Sequence, residues 1–355
     1  NRVFALSAVA VDLLRELGVW QVLDTRRINP VHRMRVWPSA LPDAPALEFD
    51  AHEAALDELA CIVEGSELSR ALDQALRFSP VQIVDAALEQ SDLSSASHTL
   101  LGLSGGRRLR CRLVLACDGA QSRARELAGI EMVFNDYPQR ALVANFVTGK
   151  AHRDTAFQWF GEHGVLALLP LPGTDDGHGS RVSMVWSAPT ELADELMALD
   201  AQALAERVAQ ASHFELGALA PLSQVAAFPL RLGRVSSLIA PRLALAGDAA
   251  HVVHPLAGQG MNLGFGDIAS LRDAISGASD PGLRPVLRQY ERSRAEPVLA
   301  MRLLTDGLQG LFDPVRLASL GPMAGPLKTA RDIGWRAVAA SGWLRRQLVA
   351  QAGRR

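Results

Sequence analysis

The stretch from Leu243 to Leu271, "LALAGDAAHVVHPLAGQGMNLGFGDIASL", constrains this chain more than any other. A short apolar run stops at Gly247-Asp248, and His251, His254 and Pro255 follow. Four glycines (Gly258, Gly260, Gly264 and Gly266) then arrive within nine residues, and a helical pattern resumes near Leu263. A core strand followed by an ordinary surface helix needs none of this. In open α/β sheets, ligands bind outside the carboxyl ends of the strands. An aspartate at such an end accepts hydrogen bonds from ribose or ribityl hydroxyls, and glycines let the backbone approach a flat ligand with no side chain between.

"GQGMN" reads as the approach to a helix, whose free N–H groups favour negative charge. The backbone donors of Met261 and Asn262 suit the negatively charged edge of a reduced flavin, with Pro255 as a rigid apolar wall. A second strand–turn–helix, "LVLACDGAQSRARE", places Asp118 and Gly119 at a strand end, followed by Ser122, Arg123 and Arg125. Asp-Gly alone is a common turn; paired with Gly247-Asp248, it suggests two loops meeting over one cofactor. His251 and His254 lack the further ligand a metal site needs, so no metal is expected and the histidines are read as orienting the loop. No Gly-x-Ser-x-Gly elbow or carboxylate pair stands out, which leaves hydrolase chemistry without support.

The flanking sequence sets the architecture. "SAVAVDLLRELG" predicts a helix capped by Ser7 and stopped at Gly18. Helical spacing is read again over 51–76, a β segment over Val81–Val84, and a hairpin turn at Gly105-Gly106. Short β runs such as "RALVANFVTG", "FQWF" and "MVW" then suggest an antiparallel sheet with one solvated face. One helical insertion, "PTELADELMALDAQALAERVAQA", interrupts it, and helices close the chain. The order predicts an α/β nucleotide-type domain with a β insert. A net charge of −2 gives no reason to expect nucleic acid. Three cysteines (Cys61, Cys111, Cys117) are too few for a disulfide framework, and Cys111 and Cys117 are read as buried thiols in a reducing cytoplasmic setting. No run of 18 apolar residues and no signal peptide is visible.

The segments "GDAAHVVHPLAGQGMNLGFGD" and "CDGAQSRARE" resemble the two internal motifs of the flavoprotein aromatic hydroxylases typified by para-hydroxybenzoate hydroxylase. "HPLAGQGMNLGFGD" is similar to the branch that hydroxylates ubiquinone precursors, as are "RVFALSAVAVDLLRELGVW", "FQWFGEHGVLALLPLP", "VSMVWS" and "RDIGWRAV", so the likeness covers nearly the whole chain. The resemblance implies an N-terminally truncated, Rossmann-like FAD domain (1–27, 51–133 and 236–280), an interleaved antiparallel β-sheet substrate domain (28–50 and 134–235) and C-terminal helices (281–355). It implies FAD, NAD(P)H as electron donor, and hydroxylation of a polyprenyl phenol with dioxygen through a flavin C4a-hydroperoxide. Gly247 and Asp248 would contact the ribityl–pyrophosphate portion, and Gly258, Gln259, Gly260, Met261 and Asn262 would line the pyrimidine edge through backbone atoms. Pro255 would lie beside the isoalloxazine, and it and His254 are the candidate catalytic residues. Asp118 and Gly119 match a motif used near the pyrophosphate and NAD(P)H; Arg2 matches an arginine that approaches the pyrophosphate with paired donors.

Two departures stand out. The family opens with a Gly-x-Gly-x-x-Gly turn that holds the ADP part of FAD, and no such turn occurs here. Gly65 stands where the family usually carries a polar side chain. Because the chain opens at Asn1 almost inside a helix, a preceding segment is expected. The alternatives are an FAD-deficient short form acting as a scaffold in a quinone-biosynthesis complex, or another flavoprotein oxidoreductase of the same fold. The basic and apolar C-terminus "WLRRQLVAQAGRR" reads either as a solvated helix or as a surface for lipid, at the inner membrane periphery, or for a partner enzyme.

Overall fold

The computed structural model describes residues 2–38, 45–161, 163–173, 180–253, 259–312, 321, 324–342 and 345–346. Along the chain the strands are β1 (Val3–Leu6), β2 (Ile28–Val31), β3 (Arg33–Pro38), β4 (Leu47–Asp50), β5 (Ala60–Glu64), β6 (Leu88–Asp92), β7 (Thr99–Leu103), β8 (Arg107–Cys111) and β9 (Val114–Ala116). They continue as β10 (Met132–Thr148), β11 (Thr155–Gly161), β12 (Gly164–Leu171), β13 (Ser180–Pro189), β14 (Leu219–Pro221), β15 (Ala226–Val235), β16 (Ile239–Ala240), β17 (Leu243–Leu245) and β18 (His251–Val252). The helices are α1 (Ala8–Glu16), α2 (Gly65–Arg77), α3 (Arg123–Leu127), α4 (Thr190–Ala198), α5 (Ala201–Ala211), α6 (Gln259–Ile275), α7 (Arg284–Phe312) and α8 (Ala324–Ala340).

Among the described residues these strands form four sheets. The largest has nine strands in the order β18-β15-β10-β13-β12-β11-β3-β4, with β14 on β10. Successive residues of a strand point to opposite faces, so this sheet has two different coats. Phe157, Trp159, Leu166, Leu168, Met184 and Trp186 pack beneath Leu196, Leu204 and Val208 of α4 and α5. On the other face Ala156, Leu169 and Leu171 meet Val3, Val31 and Ile62 of the small antiparallel sheet β1-β5-β2. That small sheet carries α1 and α2 on its far side, through Leu6, Ala10, Leu14, Val63 and Leu68, and Met261 and Phe265 of α6 join the same cluster. The third sheet, β16-β17-β9, pairs β17 parallel to β9 with Leu245 opposite Ala116. Leu243, Ala244 and Leu245 are all buried there, as expected of a strand covered on both faces. The fourth is the meander β6-β7-β8.

The helix read at the start is present, with the Ser7 side chain accepting from the Ala10 amide and Gly18 in the left-handed region at φ +70°. The turn at Gly105-Gly106 is present too, joining β7 to β8 with both glycines at positive φ. Four readings need correction. The 51–76 stretch is not all helical: "ACIVE" is strand β5, held between β1 and β2 by the burial of Ile62 and Val63. Val81–Val84 forms no strand; Val81 and Ile83 are exposed, with no partner strand among the described residues. The single helical insertion is two helices, because Asp200 leaves the helical region and its carboxylate caps α5 through the Ala203 amide. Cys117 is exposed, since it follows the last residue of β9 as the chain leaves the sheet. Strand β2 runs with β5, and the large sheet takes up the chain from Arg33.

Candidate functional site

Because β9 and β17 are parallel neighbours, their carboxyl ends emerge side by side. The Ala246 amide donates to the Ala116 carbonyl at 3.0 Å, the last rung before the two chains diverge. Gly119 follows β9 at φ +84° and Gly247 follows β17 at φ +60°, and nothing lies within 4 Å of where a Cβ would stand at either. Both glycines therefore serve the backbone path and leave open space. Asp248 is exposed, with no ion pair or hydrogen bond among the described residues. An unspent carboxylate beside an open glycine is what a hydroxyl-bearing ligand requires.

Asp118 is placed differently. Its carboxylate accepts from Ser122 Oγ at 2.5 Å and from the Ala124 amide at 3.0 Å, so it caps α3. Partial burial pushes its pKa up, but the Ser122 and Ala124 bonds outweigh that and hold it below the ordinary carboxylate value. What this loop offers outward is backbone. The two loops are tied by Arg125, a buried side chain donating to Ala249 O at 3.0 Å and to Ala120 O at 2.9 Å. The sequence offered Arg125 only as one cation among several after Asp-Gly.

Helix α6 begins at Gln259, earlier than expected, so Gly260, Met261 and Asn262 occupy its first turn. The N–H groups of Gly260 and Met261 lie where helix amides have no intrahelical acceptor. Gly260 is open, with only Val253 Cγ2 at 3.6 Å from a Cβ position. Gly264 and Gly266 prove to serve packing. A Cβ on Gly264 would lie 3.4 Å from Gly247 Cα, and one on Gly266 would lie 3.0 Å from the Arg294 guanidinium. The Asn262 side chain is spent inside the protein, accepting from the Ser7 amide at 2.8 Å and donating to Ala5 O at 2.7 Å.

Beneath the loops lies a charged group that the sequence reading missed. Asp267 is fully buried and accepts from the Gly247 amide at 2.9 Å and from Arg294 Nε at 2.7 Å. His251 Nε2 lies 2.7 Å from the carboxylate oxygen that accepts from Gly247, without a hydrogen-bond alignment, while His251 Nδ1 has no partner among the described residues. Arg294 also donates to Leu263 O at 3.0 Å. One turn earlier on α7, Tyr290 donates to Leu245 O at 2.6 Å. Burial, and then the Asp267 charge, push the Tyr290 phenol far above its ordinary value, so it stays protonated and able to donate.

Arg2 is exposed, its guanidinium 5.3 Å from the Phe4 ring centroid, at the end of β1 away from the Asn262 contact. Gly65 has a packing explanation: its amide donates to Arg2 O at 2.8 Å, and a Cβ would lie 2.9 Å from the Phe4 ring. His254, Pro255 and Gly258 lie outside the described residues, as does the side chain of Gln259.

The site thus offers two adjoining glycine-backed openings, an uncommitted carboxylate and a helix N-terminus. This donor set fits a long cofactor carrying hydroxyls and an electron-poor ring. The protein family described as FAD binding domain matches residues 2–302. The 3-demethoxyubiquinol 3-hydroxylase of Escherichia coli K12 is 32% identical over 99% of this chain and 86% of that protein. The chain belongs to the FAD-dependent hydroxylases of ubiquinone biosynthesis.

Other hydroxylases of that family align as fully. The ubiquinone hydroxylase UbiL of Rhodospirillum rubrum is 32% identical over 99% of this chain and 79% of its own length. The human mitochondrial ubiquinone biosynthesis monooxygenase COQ6 is 30% identical over 100% and 82%. Among solved structures, Pseudomonas aeruginosa PqsL in complex with 2-aminobenzoylacetate superimposes with a TM-score of 0.72, at 23% identity over 88% of this chain and 86% of that one. Klebsiella pneumoniae HpxO complexed with FAD and uric acid also gives 0.72, at 18% identity over 99% and 87%. These two likenesses concern the fold. Like its relatives, this hydroxylase is an FAD-dependent enzyme.

Proposed function

We propose that this hydroxylase inserts one oxygen atom from dioxygen into the ring of a prenylated phenol, a ubiquinone precursor, using NADH or NADPH as electron donor. The observation that carries the reading is the pairing of open, glycine-backed ends on adjoining parallel strands with an unspent carboxylate, Asp248, at one of them. Substrate choice follows from the relatives' names, among them a 3-demethoxyubiquinol 3-hydroxylase and a ubiquinone hydroxylase.

FAD, when bound, supplies the redox chemistry that activates dioxygen. The chain's own residues do the rest. Asp248 accepts from ligand hydroxyls, and Gly247 and Gly119 keep the approach clear. The first-turn amides of α6 favour the negative charge that accompanies reduction. Arg125 fixes the spacing of the two loops by bridging Ala120 and Ala249. The apolar contact of Ala156, Leu169 and Val185 with Val3 and Ile62 keeps water out from between the large sheet and the small one. A phenol supplies its own electron push, so the site needs no acid–base dyad.

The test is turnover of a prenylated phenol with FAD, NADH or NADPH and isotope-labelled dioxygen. One labelled oxygen per product molecule is expected. A product with unlabelled oxygen, or reductant consumed without any hydroxylated product, contradicts the reading.

A further inference from the structure

We propose that Asp267 and Arg294 are positioning residues that fix the two halves of the cofactor site against each other, and that cofactor affinity depends on this pair. The inference rests on the FAD-dependent reading above. Asp267 lies eight residues into α6, and Arg294 lies on α7; both are buried beneath the loops. Each makes one bond to the other and one to backbone next to the site. Asp267 takes the amide of Gly247, the residue before Asp248, and Arg294 donates to Leu263 O, the residue after Asn262. A chain of three hydrogen bonds therefore runs from one loop to Leu263, just past the first turn of the helix. The distances are 2.9, 2.7 and 3.0 Å.

The neighbouring glycines point the same way. Gly264 permits α6 to approach Gly247 Cα, and Gly266 leaves the space that the Arg294 guanidinium occupies. Arg294 uses two nitrogens of its planar fork in fixed directions, a geometry that a lysine cannot reproduce. Asp267 also confronts His251 on β18, the short strand through which this part of the chain joins the large sheet. The pair is thus connected to three elements beside the site: the Gly247 loop, the start of α6 and the edge of the large sheet.

Tyr290 provides the control. It lies on the same face of α7 and is equally buried, but it bonds Leu245 O, within β17 and short of the loop. We would prepare Asp267→Asn, Arg294→Lys and Tyr290→Phe in the full chain and make two measurements. Amide hydrogen exchange without cofactor reads the Gly247 segment and the first turn of α6. Flavin fluorescence titration reads FAD affinity, and urea unfolding is followed alongside. The expected result for Asp267→Asn and Arg294→Lys is faster exchange at both segments and FAD affinity at least tenfold weaker. Tyr290→Phe is expected to lose stability with affinity within twofold of the parent. If Arg294→Lys does not fold, the near-isosteric Asp267→Asn decides. Unchanged exchange at Gly247 in Asp267→Asn overturns the proposal, as does an affinity loss in Tyr290→Phe matching the other two. A parent protein that shows the exchange pattern but no flavin binding instead overturns the functional reading and leaves the loop-positioning role standing.

Discussion

The side-chain amide of Asn262 ties α6 to a segment over 250 residues earlier in the chain, accepting from the Ser7 amide at 2.8 Å and donating to Ala5 O at 2.7 Å. A residue in the first turn of α6 thereby fixes the junction of β1 and α1. Asn262→Ala leaves a donor and an acceptor without partners, each costing about 1–3 kcal/mol when buried. Asn262→Asp keeps the acceptor and sets a carboxylate against the Ala5 carbonyl. Both variants are expected to lower the urea midpoint, and a midpoint equal to that of the parent would contradict the role.

Asp248 gives the opposite signature. Its carboxylate touches nothing among the described residues, so Asp248→Ala should leave the melting temperature nearly unchanged. A hydrogen bond to a charged group is worth about 1.5–3 kcal/mol, so FAD affinity should fall by about tenfold or more. Calorimetric titration beside a thermal melt reads both.

Gly65 is held by close packing. Its Cβ position lies 2.9 Å from the Phe4 ring and 3.0 Å from the Arg2 carbonyl. Gly65→Ala is expected to destabilise by about 1–3 kcal/mol, the usual cost of overpacking. The ring can be trimmed and the carbonyl cannot, so Phe4→Leu in the same chain should recover part of the loss in urea unfolding.

Acid stability has an identifiable contributor at the far end of β17. Arg242, buried just before that strand, donates to both oxygens of Asp280 and holds its carboxyl down at about 2. A carboxylate depressed in the folded state stabilises above its unfolded value near 3.8, and that contribution is lost as pH falls toward 2. Asp280→Asn should therefore be less stable than the parent at pH 6, and the gap should close between about pH 4 and 2. Urea midpoints across that range check the sign. A gap that widens on acidification would contradict it.

Much of this was legible in the sequence because glycine and aspartate are costly choices at the ends of buried strands. "LALAGD" and "LVLACDG" gave the two strand ends, and the structure pairs them as parallel neighbours. The N-cap at Ser7 and the turn at Gly105-Gly106 were local signals, and local signals are read well. What stayed hidden depends on distant partners. "ACIVE" looked helical until β1 and β2 were in place to flank it. Gly264 and Gly266 were read as space for a ligand, but their neighbours are Gly247 and Arg294. The bonds that the Asp118 carboxylate accepts from Ser122 Oγ and the Ala124 amide were not legible from Asp-Gly alone. Asp267 and Arg294 carried no motif of their own; only the fold brings them within 2.7 Å.

The central claim is that the loops at 118–120 and 247–249 and the first turn of α6 together hold the flavin. Amide hydrogen exchange with and without FAD tests it most directly. The account predicts slower exchange on FAD addition at those three segments, with the α4–α5 helices unchanged. Slowing confined to other regions, with 247–249 and 259–262 exchanging as before, would contradict it.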